Sequence, residues 1–275
     1  MNAKHVVITG GSKGIGLGLA QAFLDLGCRV TICSRSEKNL HQALAHLKKH
    51  HNADHVYGWV CDVRQSEQIE GLWDAAREKF QKIDIWINNA GLGQPYELIW
   101  DLDPDQSEAI ISANITGTVY GSQVAYRGMN EQGFGKILNL EGFGSNGMKR
   151  PGLSVYGTTK SAITYFTRSM AKEIRSENQT GILVGTISPG MVITDLLMEA
   201  VDKNTRDYKT ILKIFNLMAN TVEDVAPGLA RKILKTERQG VRIRHQTPLQ
   251  FGWHILKNQL TNRKVIPEDH SSEPG

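Results

Sequence analysis

Short β-branched runs alternate with longer stretches of helical period along most of this 275-residue chain. The pattern predicts strands at residues 4–9, 28–33, 56–61, 83–87, 136–140 and 182–187, with helices at 15–26, 41–49, 67–80, 105–130 and 154–176. Strands separated by helices of ten or more residues pair in parallel, because each connection must cross back over the sheet and cover one of its faces. The expected fold class is α/β, a doubly wound parallel sheet with helices on both faces. No repeat, composition break or low-complexity linker interrupts it before about residue 248, so residues 4–248 read as one domain.

Bulk properties remove several classes. No apolar run approaches the roughly eighteen residues of a membrane span, and the first strand begins at residue 4, which predicts a cytoplasmic chain without a signal or transit peptide. Cys28, Cys33 and Cys61 are odd in number and lie in or beside core strands, so they read as buried thiols, with no metal site expected. The net charge of +4 is mild.

Thr9-Gly10-Gly11-Ser12-Lys13-Gly14-Ile15-Gly16 joins the first strand to the first helix. Glycines there permit a tight turn and close backbone approach, and a helix N-terminus offers free amides and a positive dipole end to a pyrophosphate. That context points to a Rossmann-type, single-domain dinucleotide fold, although glycines needed only for packing would look the same. Ser34-Arg35 ends the second strand where an acidic residue would favour NAD. Arg35, with Lys13 in the glycine turn, favours a 2′-phosphate and hence NADPH over NADH; a solvated surface arginine is the plain alternative.

Tyr156 and Lys160 are four residues apart at the start of a predicted helix, and so share a face. A nearby ammonium can lower a phenol pKa and make it a general acid able to protonate a carbonyl oxygen. The same spacing also arises from one packed ring and one solvated charge. What separates the two readings is the rest of the chain.

Thr9–Gly16, Asp62-Val63, Asn88-Asn89-Ala90-Gly91, Asn114, Tyr156–Lys160 and Pro189-Gly190, in that order, resemble the short-chain dehydrogenase/reductase family. The resemblance implies that Asp62 and Val63 flank the adenine, and that Asn88, Asn89, Ala90 and Gly91 line the cofactor. Tyr156 would be the acid, Lys160 would hold the nicotinamide ribose, and Asn114 would anchor a water in a proton relay. Pro189, Gly190, Val192 and Thr194 would close over the nicotinamide. The family usually carries a serine twelve or thirteen residues before the tyrosine; Gly144 and Phe143 stand there, and Ser145 is one step nearer. Ser145 is therefore expected to orient the carbonyl, with Asn146 or a backbone amide as the alternative.

Glu141–Ser145, Val155–Lys160, Ser188–Leu197 and Arg242–Pro248 further resemble the chlorophyll(ide) b reductase branch of that family. This implies NADPH-dependent reduction of the 7-formyl group of a chlorophyll-type tetrapyrrole to 7-hydroxymethyl. A smaller ketone, aldehyde or 3-oxoacyl substrate, or a non-catalytic NADPH sensor, would carry the same core motifs. The family also implies a homo-oligomer.

Residues 194–221 contain apolar positions at helical spacing, as either a lid over the site or an ordinary helix pair on the core. Many family members end in a seventh strand; here the chain is expected instead to continue through residues 241–248 into a helical extension at 249–266, with a disordered tail at 267–275. Basic residues from Arg231 to Lys264, among them Arg263, interleave with Phe251, Trp253 and Leu256. They suit an anionic membrane surface, which could be photosynthetic, or a helix docked on its own domain. No nucleic-acid motif accompanies them.

Overall fold

The computed structural model describes residues 3–178, 180–199, 201, 208–261 and 265–266. Seven strands form one parallel sheet: β1 (His5–Ile8), β2 (Arg29–Ser34), β3 (Val56–Val60), β4 (Ile85–Asn88), β5 (Gly135–Leu140), β6 (Ile182–Ser188) and β7 (Arg242–Arg244). Their order is β3-β2-β1-β4-β5-β6-β7, so the winding reverses between β1 and β4. This is the expected doubly wound architecture.

Side-chain alternation along the strands builds two cores. Val6, Ile8, Ile85, Ile87 and Leu138 face one side, where α1 (Gly14–Asp25), α2 (Glu37–His50) and α9 (Val222–Lys235) supply Leu19, Phe23, Leu40, Leu47, Leu229 and Ile233. Val7, Trp86, Ile137 and Val184 face the other, against α3 (Ser66–Phe80), α5 (Gly117–Gln132) and α6 (Ser154–Ser176). Successive residues of a strand point to opposite faces, which is why a parallel sheet reads as a continuous apolar run. The three cysteines lie buried as free thiols.

Three expectations change. The single helix at 105–130 is α4 (Pro104–Ile111), a turn of π-helix at Ser112–Thr116, and then α5. The wider turn carries Asn114, and such bulges recur at functional sites. A seventh strand does form: β7 pairs with β6 through Thr186–Arg242, Ile187–Ile243 and Ser188–Arg244. One apolar residue, Ile243, flanked by two arginines is too short a signal to read as a strand. Helix α2 begins at Glu37 because the Ser36 hydroxyl accepts a hydrogen bond from Asn39 N at 3.3 Å.

Beyond β6, α7 (Asp195–Glu199) and α8 (Tyr208–Met218) share a small third cluster of Val201, Tyr208, Phe215 and Ile266, with Met191, Ile193 and Leu197 packed on it. The last helix, α10 (Pro248–Thr261), packs on α8 and leaves Leu249, Trp253, Leu256 and Leu260 exposed along one stripe. Residues 267–275 and the basic Arg263 and Lys264 lie outside the described residues. Among the described residues no helix is long and apolar enough to cross a membrane.

His5 shows how tightly the sheet is closed at its amino edge. Its Nδ1 donates to Lys82 O at 2.7 Å, leaving Nε2 to accept from Thr31 Oγ1 at 2.8 Å. Burial holds its pKa down, from 6.5 to about 4. The folded state therefore resists a proton that the unfolded chain accepts, so this stability is present above pH 6.5 and is lost as pH falls towards 4. The loss should approach about 3 kcal/mol, since each tenfold change in proton affinity is worth about 1.4 kcal/mol. Urea unfolding between pH 7 and 4 measures it, and His5→Gln should flatten that part of the profile.

Candidate active site

The glycine turn and the loop after β4 face each other across the point where the sheet reverses. Asn89 Nδ2 donates to Thr9 O at 2.9 Å and to Gly10 O at 3.0 Å. Asn89 N and Ala90 N both donate to Thr9 Oγ1, at 3.0 and 3.1 Å. A β-carbon on Gly10, whose φ is +63°, would lie 2.7 Å from Ala90 Cα; one on Gly16 would lie 2.5 Å from Gly10 O. Side chains are excluded here because two backbones meet.

Helix α1 begins after Lys13 with no side-chain cap and no acidic residue in its first turn. Its free amides suit an anion, and with the glycine cradle they fit a dinucleotide pyrophosphate. Ile15 instead packs on the first core. Ser12 Oγ donates to Ser34 Oγ at 3.1 Å, tying the turn to the end of β2, beside which Arg35 is exposed.

Asp62 is held in a fork by Arg64, a residue that sequence reasoning did not single out. Arg64 Nε meets both carboxylate oxygens at 3.0 Å, and Nη2 meets Oδ2 at 2.5 Å. That hydrogen bonding keeps the Asp62 carboxyl below its ordinary range. Val63 is buried against the start of α5, where a β-carbon on Gly117 would meet it at 2.7 Å.

Asn88 is a correction: its side chain does not line the cleft. It accepts from Trp86 Nε1 at 2.8 Å and donates to Asn139 Oδ1 at 2.8 Å and Ser122 Oγ at 3.0 Å, while Asn139 donates to Thr167 Oγ1 at 2.9 Å. This buried ladder ties β4 and β5 to α5 and α6. Strand alternation sends Asn88 inward and leaves Asn89 at the cleft.

Tyr156 lies in the first turn of α6, where Gln94 Oε1 accepts its backbone N–H at 2.9 Å. Gln94 is almost fully buried, and no local pattern predicts a cap from sixty residues away. One turn on, Lys160 Nζ donates to Leu140 O at 3.3 Å and lies 5.6 Å from the centroid of the Tyr156 ring. Asn114 Nδ2 donates to Thr159 Oγ1 and to Leu92 O, both at 3.0 Å, while its Oδ1 accepts from Leu92 N at 2.7 Å. The π turn thus ties the loop after Gly91 to the helix that bears the tyrosine. Burial pushes the Tyr156 phenol up to about 12 and the Lys160 ammonium down to about 8. The expected depression of the phenol by Lys160 is not found, because loss of hydration outweighs a charge that is itself desolvated.

Ser145 accepts from Gly142 N at 3.1 Å and donates to Lys160 O at 3.1 Å. Its hydroxyl proton is committed to that carbonyl. The residue that faces the Tyr156 hydroxyl is Gly142: a β-carbon there would lie 2.5 Å from Tyr156 Oη. Counting back from the tyrosine missed it, because the glycine loop is longer than the usual spacing assumes.

The segment after β6 forms a roof. Pro189 is buried and Gly190 takes φ +80°. Val192 bridges to Asn220, and Thr194 Cγ2 would meet a β-carbon on Gly14 at 3.4 Å. Lys13 approaches Asp195 at 3.9 Å, and Leu196 lies over Gly93. Beside this roof, Leu92, Gly93, Pro95, Gln106, Ala109 and Ile110 line a cavity of about 410 Å³.

Residues 4–205 match the short chain dehydrogenase family, and the chain belongs to that family of oxidoreductases, the short-chain dehydrogenases/reductases. It is 38% identical over 222 residues to chlorophyll(ide) b reductase NOL, chloroplastic, of Oryza sativa subsp. japonica, covering 80% of this chain and 64% of that protein. The corresponding protein of Arabidopsis thaliana is 33% identical over 231 residues, covering 83% of this chain and 65% of that one. The chain therefore spans a little under two thirds of the length of these relatives. A 3-oxoacyl-[acyl-carrier-protein] reductase FabG of Haemophilus influenzae is 30% identical over 204 residues, covering 74% of this chain and 80% of that one. Two solved structures share the fold. A 3-ketoacyl-(acyl-carrier-protein) reductase of Brucella melitensis with NADH matches at TM-score 0.74 and 24% identity over 88% of this chain and 96% of that one. An actinorhodin polyketide ketoreductase with NADPH matches at TM-score 0.75 and 23% identity over 88% and 95%.

Replacing Ser145 by alanine should leave the Gly142 N–H without its partner, while Lys160 O keeps Thr164 Oγ1 as a donor, and should destabilise the fold by about 1–3 kcal/mol. Thermal melting of the protein without substrate measures this. An unchanged melting temperature would mean that the hydroxyl has no structural role.

Proposed function

We propose that this chain is an NADPH-dependent carbonyl reductase acting on a bulky apolar aldehyde, the 7-formyl group of chlorophyll(ide) b. The observation that carries the reading is the meeting of half-buried Tyr156 and Gly142 with buried Lys160 at one point. A glycine opposite the acid leaves room for a large rigid substrate to bring its carbonyl up to the phenol. The 410 Å³ cavity between the loop after Gly91 and α4 is lined mostly by apolar residues, and Ile99 and Trp100, further along that loop, are exposed. The likeness to chlorophyll(ide) b reductases supports the formyl substrate.

When bound, the reduced nicotinamide supplies the hydride. Tyr156 gives its phenolic proton to the carbonyl oxygen as negative charge develops there. Lys160 stabilises the tyrosinate that remains, and Asn114 fixes the helix turn that aims both groups. The glycine turn and the α1 amides hold the pyrophosphate, and Thr194 closes the cleft above it. The phenol's high pKa keeps the acid protonated until the reaction draws its proton away.

Anaerobic incubation with NADPH and chlorophyllide b, compared with short-chain aldehydes, ketones and 3-oxoacyl thioesters, tests the substrate. The 7-hydroxymethyl product is expected. Turnover of the thioesters alone would favour the second reading, a smaller-carbonyl reductase, which the Haemophilus influenzae relative supports. Tyr156→Phe should lower kcat by at least about a hundredfold with NADPH affinity nearly intact. Full activity in that variant would overturn the mechanism.

The exposed Arg35 guanidinium and Lys13 are assigned to the 2′-phosphate. Arg35→Ala should weaken NADPH binding roughly tenfold or more, as expected for losing a charge-assisted hydrogen bond, and leave NADH binding nearly unchanged. Fluorescence titration with both nucleotides distinguishes this from a solvated surface arginine.

A further inference from the structure

Glu141 follows directly on β5 and is almost completely buried. Arg242, in β7, grips one of its oxygens: Nε donates to Oε2 at 2.7 Å, and Nη2 approaches the same oxygen at 2.6 Å. Nη2 also lies 3.5 Å from Ser188 Oγ. The second oxygen, Oε1, is buried with no hydrogen-bond partner among the described residues. A buried carboxylate oxygen without a donor is destabilising and calls for an explanation.

The neighbouring residues supply one. Leu140 O accepts the Lys160 ammonium, and Gly142 lies against the Lys160 stem, where a β-carbon would be 3.1 Å from Cγ and 3.2 Å from Cε. Glu141 is the residue between these two in the chain, so its backbone runs past the Lys160 side chain. We propose that Glu141 is a positioning residue of the reductive site: held by Arg242, its carboxylate is the counter-charge that keeps the buried Lys160 ammonium protonated. This rests on the reading of Tyr156 and Lys160 as the reacting pair.

The groups around Lys160 are consistent with that role. Tyr156 lies on its own helix, the π turn brings neutral Asn114, and β7 brings Arg242, whose charge is engaged by Glu141. Burial lowers the Lys160 pKa to about 8, and Glu141 opposes that lowering. Without the carboxylate the ammonium would lose its proton at still lower pH, and the stabilisation of the tyrosinate would go with it. The orphaned Oε1 is then the cost of placing a charge where the lysine needs it.

Glu141→Gln keeps the shape and removes the charge. Its basic limb of kcat/KM should move to lower pH by about one pH unit, the lower range for losing a close opposite charge. Activity should be retained best at the acidic end, and Glu141→Asp should restore the limb. Lysine-Cε NMR follows the Lys160 titration without any substrate, assigned by the signal missing in Lys160→Arg. A lower Lys160 pKa in Glu141→Gln supports the proposal even if no carbonyl tried is reduced; an unmoved pKa overturns it. Should Glu141→Gln fail to fold, Arg242→Gln decides: with the competing guanidinium gone, the carboxylate should act more strongly on Lys160 and raise its titration, and an unmoved Lys160 pKa overturns the inference.

Discussion

A parallel sheet wound from its middle must reverse direction once, and here it does so between β1 and β4, which pair through Val6–Ile85, Val7–Trp86 and Ile8–Ile87. The reversal sends the connections after these two strands to opposite faces and leaves a crevice at their carboxyl ends. Two backbones line that crevice closely enough to be stitched by Thr9 and Asn89. The requirement for glycine at positions 10 and 16 follows from this approach of chain to chain, and the uncapped amides of α1 open into the same space.

The end of the cleft that holds Tyr156 depends on a different kind of constraint. Tyr156 and Lys160 sit on a helix whose position is specified by polar groups buried beneath it. Asn88, Asn139, Ser122 and Thr167 form a satisfied network, and Asn114 joins the loop after Gly91 to Thr159. Apolar packing alone tolerates small slides of a helix over a sheet, whereas a hydrogen-bond network inside a low-dielectric core penalises them. Gln94 adds a fixed partner at the first turn. The π turn lets Asn114 serve both neighbours without ending the helix.

Burial then sets the electrostatics. It disfavours charge on both members of the pair, raising the phenol and lowering the ammonium. The phenol is thereby kept protonated, while the lysine depends on the negative charge that stands near it. The roof over the cleft has its own small core around Tyr208 and Phe215, and it touches the nucleotide side through Thr194, Asp195 and Leu196.

The alternation of apolar runs with helical periods was enough to specify six strands, their parallel pairing and the doubly wound sheet, because burial on both faces leaves a pattern that is local in sequence. The glycine turn and the Tyr156–Lys160 spacing were legible for the same reason: each function needs neighbours only a few residues apart. What the tertiary structure decided is everything that depends on which distant groups meet. Ser145 and Gly142 differ by three positions, yet the fold commits the first to Lys160 O and places the second against the phenol. Gln94 and the Glu141–Arg242 pair carry no local pattern, since their partners come from other helices, loops and strands. The direction in which the Tyr156 and Lys160 pKa values move was decided there too, because desolvation belongs to the whole packed site and cannot be read from the spacing of two residues.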